Sequence, residues 1–253
     1  MLVGLTFAKG LSFSLNKPFV AVNHIEGHIF SGFLMDEKPV FPYLCLVVSG
    51  GHTLLLIVED ETNIRKLGST IDDATGEAFD KTAKMLGLGY PGGIKIQEAA
   101  EKGNPDFIDF PISQCKNEYD FSFSGLKSAV LRYIQNEFGS TADIDINKIP
   151  DIAASFQKAA VEALIQKSEK ALKNYNVNSI SIVGGVAANN YLRNRFTSLS
   201  KKYNQKLVIP DLQFCGDNAA MIALRGSQLH RNGIKFDLSY NAFAGLPDST
   251  FIT

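Results

Sequence analysis

Two histidines four residues apart, His24 and His28, lie in the segment Val22-Asn23-His24-Ile25-Glu26-Gly27-His28, which reads as the start of a helix. On a helix that spacing stacks both imidazoles on one face, and a stacked pair supplies half the ligands of a mixed-donor metal site. Many such pairs only cap, pack or face water, so the surroundings decide the reading. The apolar run Phe19-Val20-Ala21-Val22 reads as a strand feeding the pair, which places the histidines at a strand end, where α/β proteins gather ligands. Asp217, in Phe214-Cys215-Gly216-Asp217-Asn218, is the strand-end carboxylate that would complete the set, although it would serve equally as an ordinary helix N-cap. Zinc-protease chemistry is excluded. Its H-E-x-x-H form needs the glutamate directly after the first histidine, whereas Glu26 is two positions on and about 200° round the helix.

Other segments carry chemistry of a different kind. Ser49-Gly50-Gly51-His52-Thr53 separates two apolar runs, 43–48 and 54–58. That is a hairpin signal, and a Ser-Gly-Gly turn also turns backbone N–H groups outward for a phosphate. Gly184-Gly185-Val186-Ala187-Ala188-Asn189 joins an apolar run (179–183) to a helical one, a junction that lets a ligand approach the backbone beside a helix N-terminus. A helix expected over 72–88 places Asp73, Glu77 and Asp80 at i, i+4 and i+7, one carboxylate face. Ser124 and Lys127 formally match S-x-x-K, but the companion S-D-N and K-T-G elements are absent, and Ser122 or Ser124 is read as a helix N-cap.

The elements that must position these residues alternate. Helices are expected over 1–15 (with the spacing of a buried helix, entered without a cap), from the histidine pair onward, over 94–102, 121–138, 150–175, 190–203 and 219–230, and strands over 43–48, 54–58, 64–69, 179–183 and 207–210. In the helix over 150–175, Ile152, Phe156, Ala160, Ala163 and Leu164 point inward. The segment 236–253 reads as a loosely held tail. Strands alternating with helices indicate an α/β fold. The 253 residues, 45% hydrophobic and 20% charged, suffice for one large or two modest cores. A net charge of −1 leaves no basic footprint for nucleic acid or anionic lipid. Three scattered cysteines without C-x-x-C point to a reducing compartment and away from a disulfide framework. No apolar run reaches membrane-spanning length, and no secretory leader is expected.

Six motifs then occur in a fixed order: Asn23-His24-Ile25-Glu26-Gly27-His28, Val48-Ser49-Gly50-Gly51-His52-Thr53, Ala74-Thr75-Gly76-Glu77-Ala78-Phe79-Asp80-Lys81, Tyr90-Pro91-Gly92-Gly93, Gly184-Gly185-Val186-Ala187-Ala188-Asn189 and Gly216-Asp217-Asn218. Across essentially the whole chain this pattern resembles the tRNA N6-adenosine threonylcarbamoyltransferase family, once taken for glycoproteases. The resemblance implies a two-lobed actin/Hsp70/sugar-kinase-like (ribonuclease H-like) fold. It implies transfer of a threonylcarbamoyl group from threonylcarbamoyl-AMP to N6 of adenosine 37 in tRNAs reading codons that begin with adenine. By the same likeness, His24, His28 and Asp217 hold one divalent transition metal, iron in preference to zinc. Val47, Val48, Ser49, Gly50, Gly51, Asp80, Gly93 and Asn189 contact the adenylate. The implied partners are tRNA, a noncatalytic paralogue of the same fold and a small P-loop ATPase, in the cytoplasm and away from membranes.

The pattern departs from the family in two places. The family opens with a first-lobe segment not found here, so residues 1–42 are expected to be the remainder of that lobe with the metal helix, 43–215 the second lobe, and 216–253 a returning helix and tail. Leu2, Leu5 and Leu11 would then lack their partners. After Gly93 the family often has a proline and then an aspartate where this chain has Ile94 and Gln97, so Gln97 is assigned no role. The competing expectations are a noncatalytic partner-binding relative, a truncated inactive form, and a sugar or acid kinase of the same fold. The intact set His24, His28 and Asp217 argues against the noncatalytic relative and the kinase; it does not bear on the truncated form, which is expected not to modify tRNA on its own.

Overall fold

The computed structural model of the chain describes residues 2–243. Tyr43-Leu44-Cys45-Leu46-Val47-Val48 has no polar position, and such a strand needs cover on both faces. It forms β1 (Tyr43–Val48), the middle strand of a five-stranded sheet. The others are β2 (Thr53–Val58), β3 (Ile64–Ser69), β4 (Ser179–Val183) and β5 (Lys206–Val208), in the order β3-β2-β1-β4-β5. β1 and β2 pair antiparallel across the glycine turn, with Val48 opposite Thr53, and β3 extends this meander. β4 runs parallel to β1, and β5 parallel to β4. Because successive side chains alternate between faces, Leu44, Leu46 and Val48 enter the large core on one side. Tyr43, Cys45 and Val47 enter a smaller core on the other.

Helices supply the cover. They are α1 (Leu2–Leu15), α2 (His24–Phe30), α3 (Thr75–Met85), α4 (Gly92–Ala100), α5 (Ser124–Phe138), α6 (Ile149–Asn174), α7 (Asn190–Lys202), α8 (Leu212–Cys215) and α9 (Ala219–Arg231). α6 buries Ile152, Phe156, Ala160 and Leu164 in the large core, while Ala163 is only half-buried against it. Ile25, Ile29 and Phe30 of α2 fill the small core, and α9 packs on α2. This is the α/β class, with the mixed sheet of the actin/Hsp70/sugar-kinase-like folds. Among the described residues, no helix is long and apolar enough to cross a membrane.

Four local expectations are corrected. The run Phe19–Val22 is no strand: only Phe19 makes a bridge, to Phe236. A short apolar run, here three β-prone residues and Ala21, forms a strand only where a sheet edge accepts its backbone. α1 is helical as expected but buries none of its residues, and Leu2, Val3, Phe7 and Phe13 are exposed. Apolar spacing shows which face a helix can bury, not that the face is covered. Neither Ser122 nor Ser124 caps α5. Asp72 does so from another segment, accepting from the backbone N–H groups of Phe123 (2.8 Å) and Ser124 (3.3 Å) and from the Ser122 hydroxyl (2.6 Å). A carboxylate with two acceptor oxygens outcompetes a single local hydroxyl. The acidic face is not continuous either, since α3 begins at Thr75 and leaves Asp73 before it. Asp73 bonds Lys81 (2.7 Å) and Lys127 (2.8 Å), and Lys81 also meets Glu77 (2.8 Å). The tail, as far as it is described, is a chain of ring contacts from Phe236 through Tyr240 to Phe243, and 244–253 lie outside the described residues.

Candidate metal centre and adjoining cavity

Asn23 caps α2, its side chain accepting from the N–H groups of Ile25 (2.8 Å) and Glu26 (3.3 Å). The helix therefore starts at His24 and presents His24 and His28 one turn apart, with ring centroids 4.9 Å from each other. Asp217 arrives from the other end of the chain. Asn218 takes the N-cap of α9, accepting from Met221 N–H at 2.9 Å, so Asp217 is not spent as a cap. Its Oδ1 lies 3.2 Å from His24 Nε2 and 3.0 Å from His28 Nε2. These three ligand atoms fall within 4.8 Å of one another. The His28 side chain is 1% exposed, whereas those of His24 and Asp217 are 51% and 76% exposed. One side of the cluster is walled in and the other is open. Burial holds the His28 imidazole below its ordinary pKa, against the opposing hydrogen bond to Asp217, which favours the neutral ring a metal requires. Two imidazoles and one carboxylate with an open side fit a single transition-metal ion.

The glycine turn contributes to a cavity through Gly50. His52 closes the turn, with its N–H on Ser49 Oγ (3.1 Å) and its carbonyl accepting from Ser49 N–H (2.8 Å). Burial and the neighbouring His24 hold His52 below its usual pKa, so the two rings feel each other. Gly50 lines a cavity of about 350 Å3 together with Asp80, Gly93 and Asn189, a volume within the range of small-ligand pockets. α3 approaches the turn closely because Gly76 has no side chain: a Cβ there would lie 2.7 Å from the Ser49 carbonyl. Gly184, at φ +96°, makes the matching approach from β4.

The other expected contacts are distributed as follows. Val47 and Val48 are wholly buried in β1, so their side chains face the two cores and not the cavity. Ser49 and Gly51 belong to the turn itself, outside the residues that line the cavity. Asp80 accepts from Gly92 N–H at 2.8 Å. Asn189 is buried; its amide donates to Gln157 Oε1 (2.8 Å) and its oxygen accepts from Leu192 N–H (2.9 Å), capping α7. Gln97 lines the cavity and accepts from Asn190 N–H at 2.7 Å.

Residues given no site role from the sequence also contribute: Phe79, Tyr90 and Ile94 in the cavity wall, Gln157 behind Asn189, and His52, which feels the charge of His24. For His52 a signal existed, a histidine directly after a Gly-Gly turn. Gln157 gave none, because its partner is 32 residues away.

The sequence model of one family, described as tRNA N6-adenosine threonylcarbamoyltransferase, matches residues 1–224. The chain belongs to that family. The protein so named from Thermosipho africanus is 49% identical over 249 residues, which cover 97% of this chain and 73% of that protein. Its counterpart from Symbiobacterium thermophilum is 45% identical over 246 residues, covering 97% and 71%. Among solved structures, HypF from T. kodakarensis matches with a TM-score of 0.68 at 16% identity, over 90% of this chain and 39% of that one. At that identity the likeness speaks for the fold alone. Membership makes the chain one of the tRNA-modifying acyltransferases and sets aside the kinase reading.

Proposed function

We propose that the chain transfers a threonylcarbamoyl group from threonylcarbamoyl-AMP to the N6 amine of adenosine 37 in tRNAs that read codons beginning with adenine. The observation that carries this reading is that one chain holds both a two-histidine, one-carboxylate cluster and a cavity lined by Gly50 of the glycine turn. His52, in the same turn as Gly50, feels the charge of His24, and Gly50 and Asp80 line the cavity. A mixed anhydride reacts readily once attacked, so its enzyme has mainly to position two reactants. The amine nitrogen forms a bond to the carbamoyl carbon, the bond from that carbon to the phosphate oxygen breaks, and AMP departs with the electron pair as the amine releases its proton.

The residues divide the task. The amides of Gly50 and Gly51 make no hydrogen bond among the described residues and suit a phosphate. Asp80 suits ribose hydroxyls or an amine. Asn189, held by Gln157, keeps the Gly184–Asn189 junction in place behind the ligand. His24, His28 and Asp217 would hold one divalent transition metal, iron in preference to zinc because two histidines and a carboxylate form the facial set of non-haem iron sites; when bound it supplies Lewis-acid polarisation and a template. The paralogous partner, the small P-loop ATPase and a cytoplasmic setting belong to this reading through the family likeness. The test incubates the chain, its partners, threonylcarbamoyl-AMP and a tRNA transcript, then digests the tRNA and measures modified nucleoside by mass. Product with wild type and none with His24→Ala is expected. Equal product from the two overturns the site.

A further inference from the structure

On α2 the ligand face is only half of the helix. The other side carries Glu26, which is buried and meets the fully buried Arg225 of α9. Arg225 Nε and Nη2 both donate to Glu26 Oε2, at 2.9 and 2.7 Å, and its Nη1 donates to the Glu61 carbonyl in the β2–β3 turn at 2.9 Å. The guanidinium also lies over the Phe30 ring, 4.1 Å from its centroid, one turn further along α2. Beside this contact the helices touch at Gly27, where a Cβ would come 2.9 Å from Ile222 Cδ1.

We propose that Glu26 and Arg225 are a positioning pair for the metal centre, fixing α2 against α9 at the one rotation and offset that bring His24 and His28 onto Asp217. Three observations support it. α2 has 7 residues, far below the length at which a helix holds itself in water, so its orientation is set from outside. His28 Nδ1 is buried with no hydrogen-bond partner, so the ring lacks the second hydrogen bond that usually aims a metal-binding imidazole. Its aim therefore comes from the placement of the helix. Finally, an apolar contact would join α2 to α9 with less loss of solvation than a buried ion pair. What a forked, charge-assisted grip adds is direction.

The inference rests on the metal reading, and its test separates the two. The chain is prepared as wild type and as the double variant Glu26→Leu/Arg225→Met, which keeps the interface filled and apolar. Arg225→Lys and Glu26→Gln are prepared alongside. Cobalt(II) is the probe: its affinity is measured by chelator competition and its coordination by the visible d–d bands, with thermal melting as the measure of fold. The expected result is a double variant that melts at or above the wild-type temperature yet binds cobalt roughly 10–100-fold more weakly, with altered d–d bands. Glu26→Gln, which keeps an acceptor oxygen, should recover part of the affinity. Wild-type affinity and bands in the folded double variant would overturn the pair's role and leave the metal centre standing. If the double variant does not fold, the same result from folded Arg225→Lys would overturn it. No cobalt bound by wild type would overturn both readings.

Discussion

His24, His28 and Asp217 meet as side chains, with His28 and its carboxylate partner 189 positions apart in the chain. The cavity at the glycine turn is walled by side chains such as Phe79, Tyr90 and Ile94, but its room also comes from Gly50, Gly76, Gly93 and Gly185, where a side chain is absent. The metal centre depends on atoms being present, the cavity also on atoms being missing at its glycines. Deleting a ligand should abolish the first with little effect on the fold, since His24 and Asp217 are exposed. The second should be broken mainly by adding atoms, and the cost then depends on what the added atom meets.

The largest effect is expected from Gly184→Ala. The new Cβ would lie 2.3 Å from the Val48 carbonyl, at a φ of +96°. Strain and overpacking together should cost about 2–4 kcal/mol, read as a lowered urea midpoint with an unchanged slope. Asp80→Asn comes next. It keeps an oxygen for Gly92 N–H but loses the charge, so a nonhydrolysable adenylate analogue should bind roughly 10–100-fold more weakly by calorimetry, with melting held within about 3 °C. Gly50→Ala sharpens the contrast, because its Cβ would meet nothing within 4 Å. The fold should be untouched while the analogue loses roughly tenfold in affinity to the intruding methyl.

The smallest effect belongs to neither site. Burial alone would raise the Asp73 carboxyl, but hydrogen bonds from Lys127 and Lys81 outweigh it and hold the group below its ordinary value. A depressed carboxylate stabilises the fold above its unfolded pKa near 4 and ceases to do so as pH falls through the lower folded value. Lys127→Met should therefore cost about 1 kcal/mol at pH 7. The gap to wild type should close as pH falls through the depressed folded value of Asp73, with adenylate and metal affinities at pH 7 unchanged.

What could be read from the residues in advance follows the same division. The five strands and the long helices showed in local spacing, because burial of a sheet face or helix stripe imposes a period of 2 or 3.6. The histidine pair and the glycine turns were local too. The partnerships formed across the chain were not. Nothing near Ser124 announces that Asp72 caps its helix, and nothing near Glu26 announces Arg225, 199 residues away. An arginine within the mostly apolar run of α9 was the only trace of that pair. The exposed α1 shows the opposite error: its apolar spacing was legible, but the covering of a helix face depends on other elements.

The central claim is that three side chains from distant segments form one metal centre. Its most direct test is the metal content, by elemental analysis, of wild type and His24→Ala, each purified in parallel and shown by circular dichroism to be folded. The account predicts about one iron or zinc per wild-type chain and a small fraction of that in the variant. Equal metal in the two preparations would contradict it.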